Sequence, residues 1–142
     1  MKILVTGANG QLGRELREVL EAKRPGITVY VDREDLDITD RAATEDFLRN
    51  GDFTHIINCA AYTAVDRAEE EKLECAAVNI DGVTNLARLA DELGIKIVHI
   101  STDYVFDGHT FQPYTESDKV NPLSQYGTTK CKGETSLLGL AP

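Results

Sequence analysis

A tyrosine and a lysine lie four residues apart near the end of the chain, in the segment YGTTK. Tyr126 and Lys130 would share one face of a helix, because residues four apart are neighbours on a helical surface. A phenol has a pKa of about 10 and is a poor acid at neutral pH, but a nearby ammonium lowers that pKa. Such a tyrosine can protonate a carbonyl oxygen as hydride reaches the carbon. The same spacing is also typical of an exposed helix face, so the pair alone decides nothing.

Three glycines near the start of the chain have the spacing of a dinucleotide-binding turn. Gly7, Gly10 and Gly13 occur in TGANGQLG, after a predicted strand and at the start of a predicted helix. The first glycine permits a tight turn, the second lets backbone approach a pyrophosphate, and the third allows close helix packing. The phosphates would lie at the N-terminus of the helix. The segment therefore predicts dinucleotide binding, with ordinary turn chemistry as the alternative.

Two charged residues after the second predicted strand favour different dinucleotides. Asp32 lies about 20 residues beyond the glycines, where a carboxylate accepts a hydrogen bond from a ribose hydroxyl and favours NAD. Arg33 could equally bind the 2′-phosphate of NADP. A solvated strand end is the third interpretation. The sequence leaves both NADPH and NADH open as cofactors.

Strand and helix patterns alternate along the chain and predict how these residues are positioned. Short apolar runs indicate four strands, and stretches with apolar residues at helical spacing separate them. The predicted strands are 3–5, 27–31, 55–61 and 95–101, and the predicted helices are 11–23, 40–49, 70–93 and one from 124. This alternation predicts an α/β fold, a Rossmann-like doubly wound parallel sheet with helices on both faces.

The length of the chain and its last residues set the expected domain organisation. The 142 residues suit one domain, and the chain ends at LLGLAP, where a fifth strand would begin in a sheet that commonly has six. We therefore expect an NAD(P)-binding domain over residues 1–142, truncated after the helix that follows the fourth strand and its loop. One side of the fourth strand would then be unpaired.

Composition and charge argue against several kinds of partner. The formal net charge of -9 disfavours binding to nucleic acid or an anionic membrane. No apolar run has the roughly 18 residues of a membrane helix, and MKILVTGANG does not match a signal peptide, so we expect a cytoplasmic protein. The three histidines and three cysteines lack metal-ligand spacing, which predicts no metal site. Cys59 and Cys75 are interpreted as reduced core residues.

Small and polar residues follow the third and fourth predicted strands, where open α/β sheets bind ligands. Ala60 and Ala61 would let a cofactor pass close to backbone, although core packing is the alternative. After the fourth strand, Thr102 and Asp103 would face the cleft, and the Thr102 hydroxyl could hold a substrate oxygen. Together with the glycine turn, these strand ends favour a hydride-transfer site for the tyrosine–lysine pair.

Five motifs together resemble the extended short-chain dehydrogenase/reductase family: TGANGQLG, NCAAYTAVDRAE, VNIDGVTNLA, STDYVFDG and PLSQYGTTK. The second and fourth motifs are most similar to the branch that reduces nucleotide-linked keto sugars. The resemblance covers essentially the whole chain and corresponds to the N-terminal cofactor-binding half, without the part that supplies most of the sugar-nucleotide pocket. It implies that NADPH or NADH reduces dTDP-4-dehydro-L-rhamnose to dTDP-L-rhamnose in the complete enzyme, while the chain alone would be inactive. It leaves a homodimer open.

The resemblance also implies roles for individual residues. Thr102, Tyr126 and Lys130 would be the catalytic residues, with Lys130 also holding the nicotinamide ribose. Thr102, Asp103 and Tyr104 would face the sugar. Besides Tyr126 and Lys130, the implied cofactor contacts are Gly7, Gly10, Gln11, Leu12, Gly13, Asp37, Ile38, Ala60, Ala61 and Thr63.

Alternatives to a reductase remain at this point. The regulatory β subunit of methionine adenosyltransferase resembles the same reductases and keeps similar motifs, and a nucleotide-sugar 4-epimerase is a second alternative. A dehydratase is disfavoured, because dehydratases carry an Asp-Glu pair where this chain has Asp103 and Tyr104. Asn79 matches a helix asparagine that many relatives share. An adenine contact at Asp37 would make Asp32 less important than its spacing suggests.

Overall fold

Four short segments pair side by side as parallel strands. A computed structural model describes residues 1–140, in which β1 (Ile3–Thr6), β2 (Thr28–Val31), β3 (His55–Asn58) and β4 (Lys96–His99) form a sheet in the order β2-β1-β3-β4. The predicted α/β class and parallel sheet are confirmed. The third and fourth strands are shorter than predicted. β3 ends early because the Asn58 side chain, and not a neighbouring strand, accepts the N–H of Ala60.

Helices connect the strands and cover both faces of the sheet. α1 (Gln11–Lys23) joins β1 to β2, and α2 (Arg41–Asn50) joins β2 to β3. Because such crossovers are right-handed and the second one runs in the opposite direction, α1 and α2 lie on opposite faces. The predicted start of the second helix is confirmed, since the side chain of Asp40 accepts from the N–H of Ala43.

The predicted helical stretch over 70–93 is confirmed in its extent, since helical structure runs without a break from Lys72 to Leu93, but it is not one regular helix. The structure has α3 (Val65–Ala68), α4 (Lys72–Ala76), a π-helical turn (Ala77–Gly82) and α5 (Val83–Leu93). Gly94 ends α5 with a left-handed φ of 66°, as its type suggested. Apolar spacing could not reveal the π-helical turn, because the turn is fixed by contacts of a buried asparagine with a distant loop. Turns of this kind are frequent at functional sites.

The hydrophobic core lies between the sheet and the helices α2 and α5. Leu4, Ile56 and Leu86 are fully buried there, and Leu48 is nearly so. α6 (Gln125–Leu138) packs beside α5 on this face, and Ser124 caps its N-terminus by accepting from Gly127. Within residues 1–140, no helix is long and apolar enough to cross a membrane.

The opposite face of the sheet is more open near β4. Val98 is 56% exposed, and α1 buries only Gly13. Among the strands that the structure describes, β4 pairs with β3 alone and forms the edge of the sheet. The predicted unpaired side of the fourth strand is present in this part of the chain.

Candidate active site

A cleft opens where the strand order reverses, above the carboxyl ends of β1 and β3. In open α/β sheets, ligands bind at this switch point. The cavity has a volume of about 580 Å³, within the usual range for small-molecule sites. Ten of the predicted cofactor contacts line it: Gly7, Gly10, Gln11, Leu12, Gly13, Asp37, Ile38, Ala60, Ala61 and Thr63. Chain segments far apart in sequence are therefore brought to one cleft.

The glycine turn has no room for side chains at two of its three glycines. Gly7 has a left-handed φ of 63°, and a Cβ there would lie 2.6 Å from the backbone nitrogen of Ala60. A Cβ on Gly13 would lie 2.5 Å from the carbonyl oxygen of Gly7. The first glycine is thus required by the turn and by the β3 end beside it. The third is required by close packing of α1 on the turn.

The second glycine leaves space for a ligand. A Cβ on Gly10 would lie 3.2 Å from the oxygen of Gly7 and would otherwise face open space. Gly10 is the N-cap of α1 but offers no side-chain hydrogen bond to the helix. The first N–H groups of a helix have no intrahelical acceptor, and the helix dipole favours an anion at this end. The residues present therefore fit a pyrophosphate at this position.

The two charged residues after β2 are held by specific partners. One carboxylate oxygen of Asp32 accepts the N–H of Asn9 at 2.8 Å, and the other accepts the N–H of Arg33 at 2.8 Å. Asp32 therefore fastens the end of β2 to the glycine turn. The guanidinium of Arg33 lies 3.5 Å from Asp37 and 3.3 Å from Glu74 of α4. Both Asp32 and Arg33 line the cleft.

Asp37 and Ile38 form the wall beyond Arg33. Burial raises the pKa of the Asp37 carboxyl, but hydrogen bonds from the hydroxyl and N–H of Thr39, together with Arg33, outweigh it and hold the pKa below its usual value. Ile38 is 4% exposed, and its carbonyl accepts from the side chain of Asn85 at 3.0 Å. An ionised carboxylate and a fixed apolar side chain thus stand next to each other on this wall.

Asn79 in the π-helical turn fixes the loop that follows β3. Its side-chain oxygen accepts the N–H of Tyr62 at 2.9 Å, and its nitrogen donates to the carbonyl of Tyr62 at 3.1 Å. The same nitrogen lies 3.1 Å from the hydroxyl of Thr129 in α6. One fully buried side chain therefore ties the cleft loop to the helix that carries the tyrosine–lysine pair. The sequence indicated this residue only through its resemblance to relatives.

Lys130 is buried at the carboxyl end of β4, with an exposed fraction of 2%. Its Nζ donates to the carbonyl oxygen of Ile100 at 2.6 Å. Burial lowers the pKa of the ammonium to about 8, and Glu134 offsets part of that shift. Burial also raises the pKa of Cys59 in the cleft wall, against the influence of Lys130. Lys130 is thus next to the cleft and still largely protonated at neutral pH.

A polar network that the sequence did not reveal lies under Lys130. Thr6 donates to the side-chain oxygen of Asn58 at 2.6 Å, and the side-chain nitrogen of Asn58 lies 2.9 Å from Nδ1 of His99. The Nε2 of His99 lies 3.3 Å from Nζ of Lys130. Burial lowers the pKa of His99 to about 4, with a further contribution from Lys130, so its ring is neutral at neutral pH.

The orientation of Asn58 decides which nitrogen of His99 carries the proton. The side-chain oxygen of Asn58 also accepts the N–H of Ala60 at 3.2 Å, which places the amide nitrogen toward Nδ1. A neutral imidazole has one N–H, so we assign the proton to Nε2. This N–H faces Lys130 and cannot accept from it. The bond to Ile100 is therefore the one that anchors the lysine.

Tyr126 lies one turn before Lys130 and packs against the segment after β4. Its ring is 9% exposed and meets the ring of Tyr104 edge-on, with 5.7 Å between centroids. Thr102 caps the 3₁₀ turn Asp103–Val105: its hydroxyl accepts from the N–H of Tyr104 and donates to Asp103, both at 3.2 Å. α6 and the end of β4 thus bring the predicted catalytic residues to the same edge of the sheet.

The cysteines divide between core and cleft. Cys75 is fully buried, as predicted, but Cys59 is only half-buried and lines the cleft, so its assignment to the core is wrong. The alternation of β3 leaves this position just beyond the strand, at the ligand edge. Across residues 1–140, no three His, Cys, Asp or Glu side chains are grouped so that they could hold a metal ion.

Comparison with known proteins gives the same assignment across nearly the whole chain. Residues 1–141 match the family described as "RmlD substrate binding domain". The chain is 41% identical over 143 residues to a dTDP-4-dehydrorhamnose reductase of Sinorhizobium fredii, covering 100% of this chain and 47% of that protein. The crystal structure of a dTDP-4-dehydrorhamnose reductase from Clostridium acetobutylicum matches with a TM-score of 0.95 and 48% identity, covering 99% of this chain and 50% of that one.

A second solved structure that matches this chain contains a bound dinucleotide. The dTDP-4-dehydrorhamnose reductase of Bacillus anthracis, solved in complex with NADP, matches with a TM-score of 0.94 and 38% identity, over 100% of this chain and 51% of that one. The chain thus spans about half the length of the relatives it matches. The resemblance inferred from the five motifs is confirmed, because relatives of that kind align with the whole chain. The chain belongs to the RmlD substrate binding domain family.

Proposed function

We propose that this chain is the cofactor-binding half of an NAD(P)H-dependent reductase that converts dTDP-4-dehydro-L-rhamnose to dTDP-L-rhamnose. The observation that carries the proposal is a buried lysine, with a tyrosine one turn before it, beside a cleft built on a glycine turn. The relatives named dTDP-4-dehydrorhamnose reductase support the reaction. The NADP complex of the Bacillus anthracis relative supports the cofactor class.

The glycine turn and the strand ends would hold the cofactor along the cleft. The N-terminus of α1 would bind the pyrophosphate, with Gly10 leaving the backbone accessible. Asp37 and Ile38 would contact the adenosine, and the Ala60–Thr63 loop would contact the other half of the dinucleotide. Asn79 would keep that loop at a fixed distance from α6, because it bonds to both. The cleft would therefore fix the distance between the bound dinucleotide and Tyr126.

The residues at the end of β4 and in α6 would carry the proton chemistry. A bound reduced nicotinamide supplies the hydride to C4 of the keto sugar. Tyr126 would donate its phenolic proton to the carbonyl oxygen, and the hydroxyl of Thr102 would hold that oxygen in place. Lys130 uses one N–H on Ile100, and an ammonium has three. The remaining ones would bind the nicotinamide ribose and stabilise negative charge on the tyrosine oxygen.

Residues 1–142 would form the cofactor domain, with the rest of the sugar-nucleotide site in a second half. Asp103 and Tyr104 would face the sugar, and the 48% exposure of Tyr104 supports this role. Catalysis needs the carbonyl held near both hydride and acid, and that placement draws on binding energy from the whole substrate. We therefore expect the 142-residue chain to bind NAD(P)H and to show no useful turnover by itself.

The test is turnover of dTDP-4-dehydrorhamnose with NADPH by the full-length protein and its Tyr126→Phe variant. Loss of the general acid should lower turnover by about 100-fold or more while NADPH affinity stays unchanged. Tyr30→Phe is the matched control, because Tyr30 lies on β2 and its hydroxyl donates to Glu21 of α1, away from the cleft. NADPH binding without turnover by the unmodified protein would contradict the reductase assignment and favour a regulatory subunit. Near-normal turnover by Tyr126→Phe would show that another group donates the proton.

A further inference from the structure

An ion pair crosses the cofactor cleft at its adenosine end. Arg33 follows β2, and Glu74 belongs to α4 on the facing wall; Nη1 of the arginine lies 3.3 Å from Oε1 of the glutamate. Both residues line the cleft. Their side chains are 68% and 49% exposed, so a ligand entering the cleft can reach both. The pair therefore stands where the adenosine of a dinucleotide would lie in the proposed complex.

Several carboxylates of the cleft compete for the guanidinium of Arg33. Among the cleft-lining residues of the described chain, Arg33 is the one cation, against the carboxylates of Asp32, Asp37 and Glu74. The Asp32 carboxylate is occupied by two backbone N–H groups, and the Asp37 carboxylate by Thr39. Within residues 1–140, the side chain of Glu74 has Arg33 as its one hydrogen-bond partner. Glu74 is thus the carboxylate that can move away from Arg33 at the lowest cost.

We propose that Glu74 sets the preference between NADPH and NADH by competing with the 2′-phosphate for Arg33. The inference rests on the proposed cofactor-binding function. A 2′-phosphate has to displace the carboxylate from the guanidinium and then remain near a like charge. A 2′-hydroxyl can instead donate to the carboxylate while the ion pair stays intact. Glu74 therefore disfavours the phosphorylated cofactor and makes the cleft accept NADH as well.

The exposure of the Arg33–Glu74 ion pair limits how strongly Glu74 can disfavour NADPH. Exposed ion pairs are weak, so a phosphate can replace the carboxylate and NADPH is not excluded. The like charge left beside the phosphate is screened by solvent for the same reason. We expect removal of the carboxylate to raise NADPH affinity by about 2- to 5-fold, which changes the preference between the two cofactors but not the ability to bind either.

The test is Glu74→Gln in the 142-residue chain, with NADPH and NADH titrated separately by their fluorescence and by calorimetry. The Kd for NADPH should fall by about 2- to 5-fold, and the Kd for NADH should stay the same or rise slightly. Glu70→Gln is the matched control, because it removes the same charge from an exposed residue outside the cleft. A parallel change for both cofactors, or the same change in Glu70→Gln, would overturn the inference.

A second variant tests whether the effect passes through Arg33. Arg33→Gln should weaken NADPH and leave NADH nearly unchanged, and adding Glu74→Gln to it should then have little further effect. An undiminished gain in the double variant would show simple charge repulsion and would also overturn the inference. Failure of the unmodified chain to bind either cofactor would contradict the proposed function itself, and the inference with it. Binding of both with an unchanged ratio in Glu74→Gln would contradict the inference alone.

Discussion

The two ends of the cleft hold charged side chains in opposite ways. At the end where we propose that the adenosine binds, Arg33 is 68% exposed and is shared between Asp37 and Glu74. At the other end, Lys130 is 2% exposed and is anchored to one backbone oxygen above a buried polar network. An exposed pair is worth little and exchanges partners easily, whereas a buried charge costs several kcal/mol unless its hydrogen bonds are satisfied. The exposed end is suited to selecting a ligand, and the buried end to fixed chemistry.

A buried polar network lies beneath Lys130, which is itself anchored by the carbonyl oxygen of Ile100. The side chains of Thr6, Asn58 and His99 come from the ends of β1, β3 and β4, and they are bonded in series beneath Lys130 from α6. Each member is positioned by another, so little freedom is left when the cofactor arrives. The Arg33–Glu74 pair has no such support and can reorganise around different ligands.

The largest expected difference between the two ends is seen when Lys130 and Arg33 are each replaced in the full-length protein. Lys130→Met should lower turnover by about 1000-fold, because it would remove both the charge one helical turn from Tyr126 and the proposed ribose contact. Arg33→Met should leave turnover at saturating NADPH within about 3-fold and raise the Kd for NADPH by about 10-fold. Steady-state kinetics and NADPH titration separate the two patterns. Thermal unfolding of both variants is the control for folding, and a similar loss of turnover in both would contradict the division between the two ends.

The glycine turn joins the two ends, and Gly10→Asp should affect both cofactors equally. The new carboxylate would occupy the space for the pyrophosphate and repel it, so both Kd values should rise by about 30-fold or more. The ratio of NADPH to NADH affinity should not change, in contrast to the effect expected at Glu74. Titration of both cofactors against the variant checks this. Unchanged affinity would remove the assignment of the cleft to a dinucleotide.

We expect pH to change cofactor affinity through Lys130, at the buried end of the cleft, and not through the exposed Arg33–Glu74 pair. The pKa of Lys130 is lowered to about 8, so between pH 7 and pH 9 the ammonium loses its proton and cofactor affinity should fall by several-fold. His99, with a pKa of about 4, stays neutral throughout this range. Titration of NADH at each pH, with Lys130→Met as the control, isolates the effect. An equal pH dependence in that variant would assign it to another group.

Loss of the proton from Lys130 should lower cofactor affinity but raise the stability of the folded chain. Lys130 has a lower pKa in the folded chain than the ordinary value of 10.5, so the unfolded chain binds more protons between about pH 8 and pH 10.5. The contribution of Lys130 to the free energy of unfolding should therefore rise with pH across this window. This contribution is measured as the free energy of unfolding of the chain in denaturant minus that of the Lys130→Met variant, at each pH. A difference that falls with pH would contradict the buried ammonium.

Salt should have the smallest effect, and it should act on the exposed end. Between about 0.05 and 0.5 M salt, the Kd for NADPH should rise about 2- to 3-fold more than the Kd for NADH, because only the phosphorylated cofactor depends on Arg33. Titration at the two salt concentrations checks this, and Arg33→Gln should abolish the difference. An equal salt dependence for both cofactors would place the selecting charge elsewhere.

Local spacing determined much of this protein from the sequence alone. The glycine turn, the cap at Asp40 and the helix that carries Tyr126 and Lys130 were predictable, since each depends on residues within one or two turns of each other. The alternation of strands and helices determined the α/β class for the same reason. The spacing of Tyr126 and Lys130 placed them on one helix face, but it could not show that the lysine is buried.

Contacts between distant segments were decided only by the tertiary structure. The approach of His99 to Asn58 depends on the register of two strands 41 residues apart, and the pairing of Arg33 with Glu74 also spans 41 residues. The π-helical turn likewise exists around Asn79, whose partner Tyr62 is 17 residues away. No periodicity in a sequence encodes such pairs, because each forms only after strands and helices have packed. The sequence thus determined the fold class and the residue types at the cleft, and packing determined which of their charges are buried and fixed.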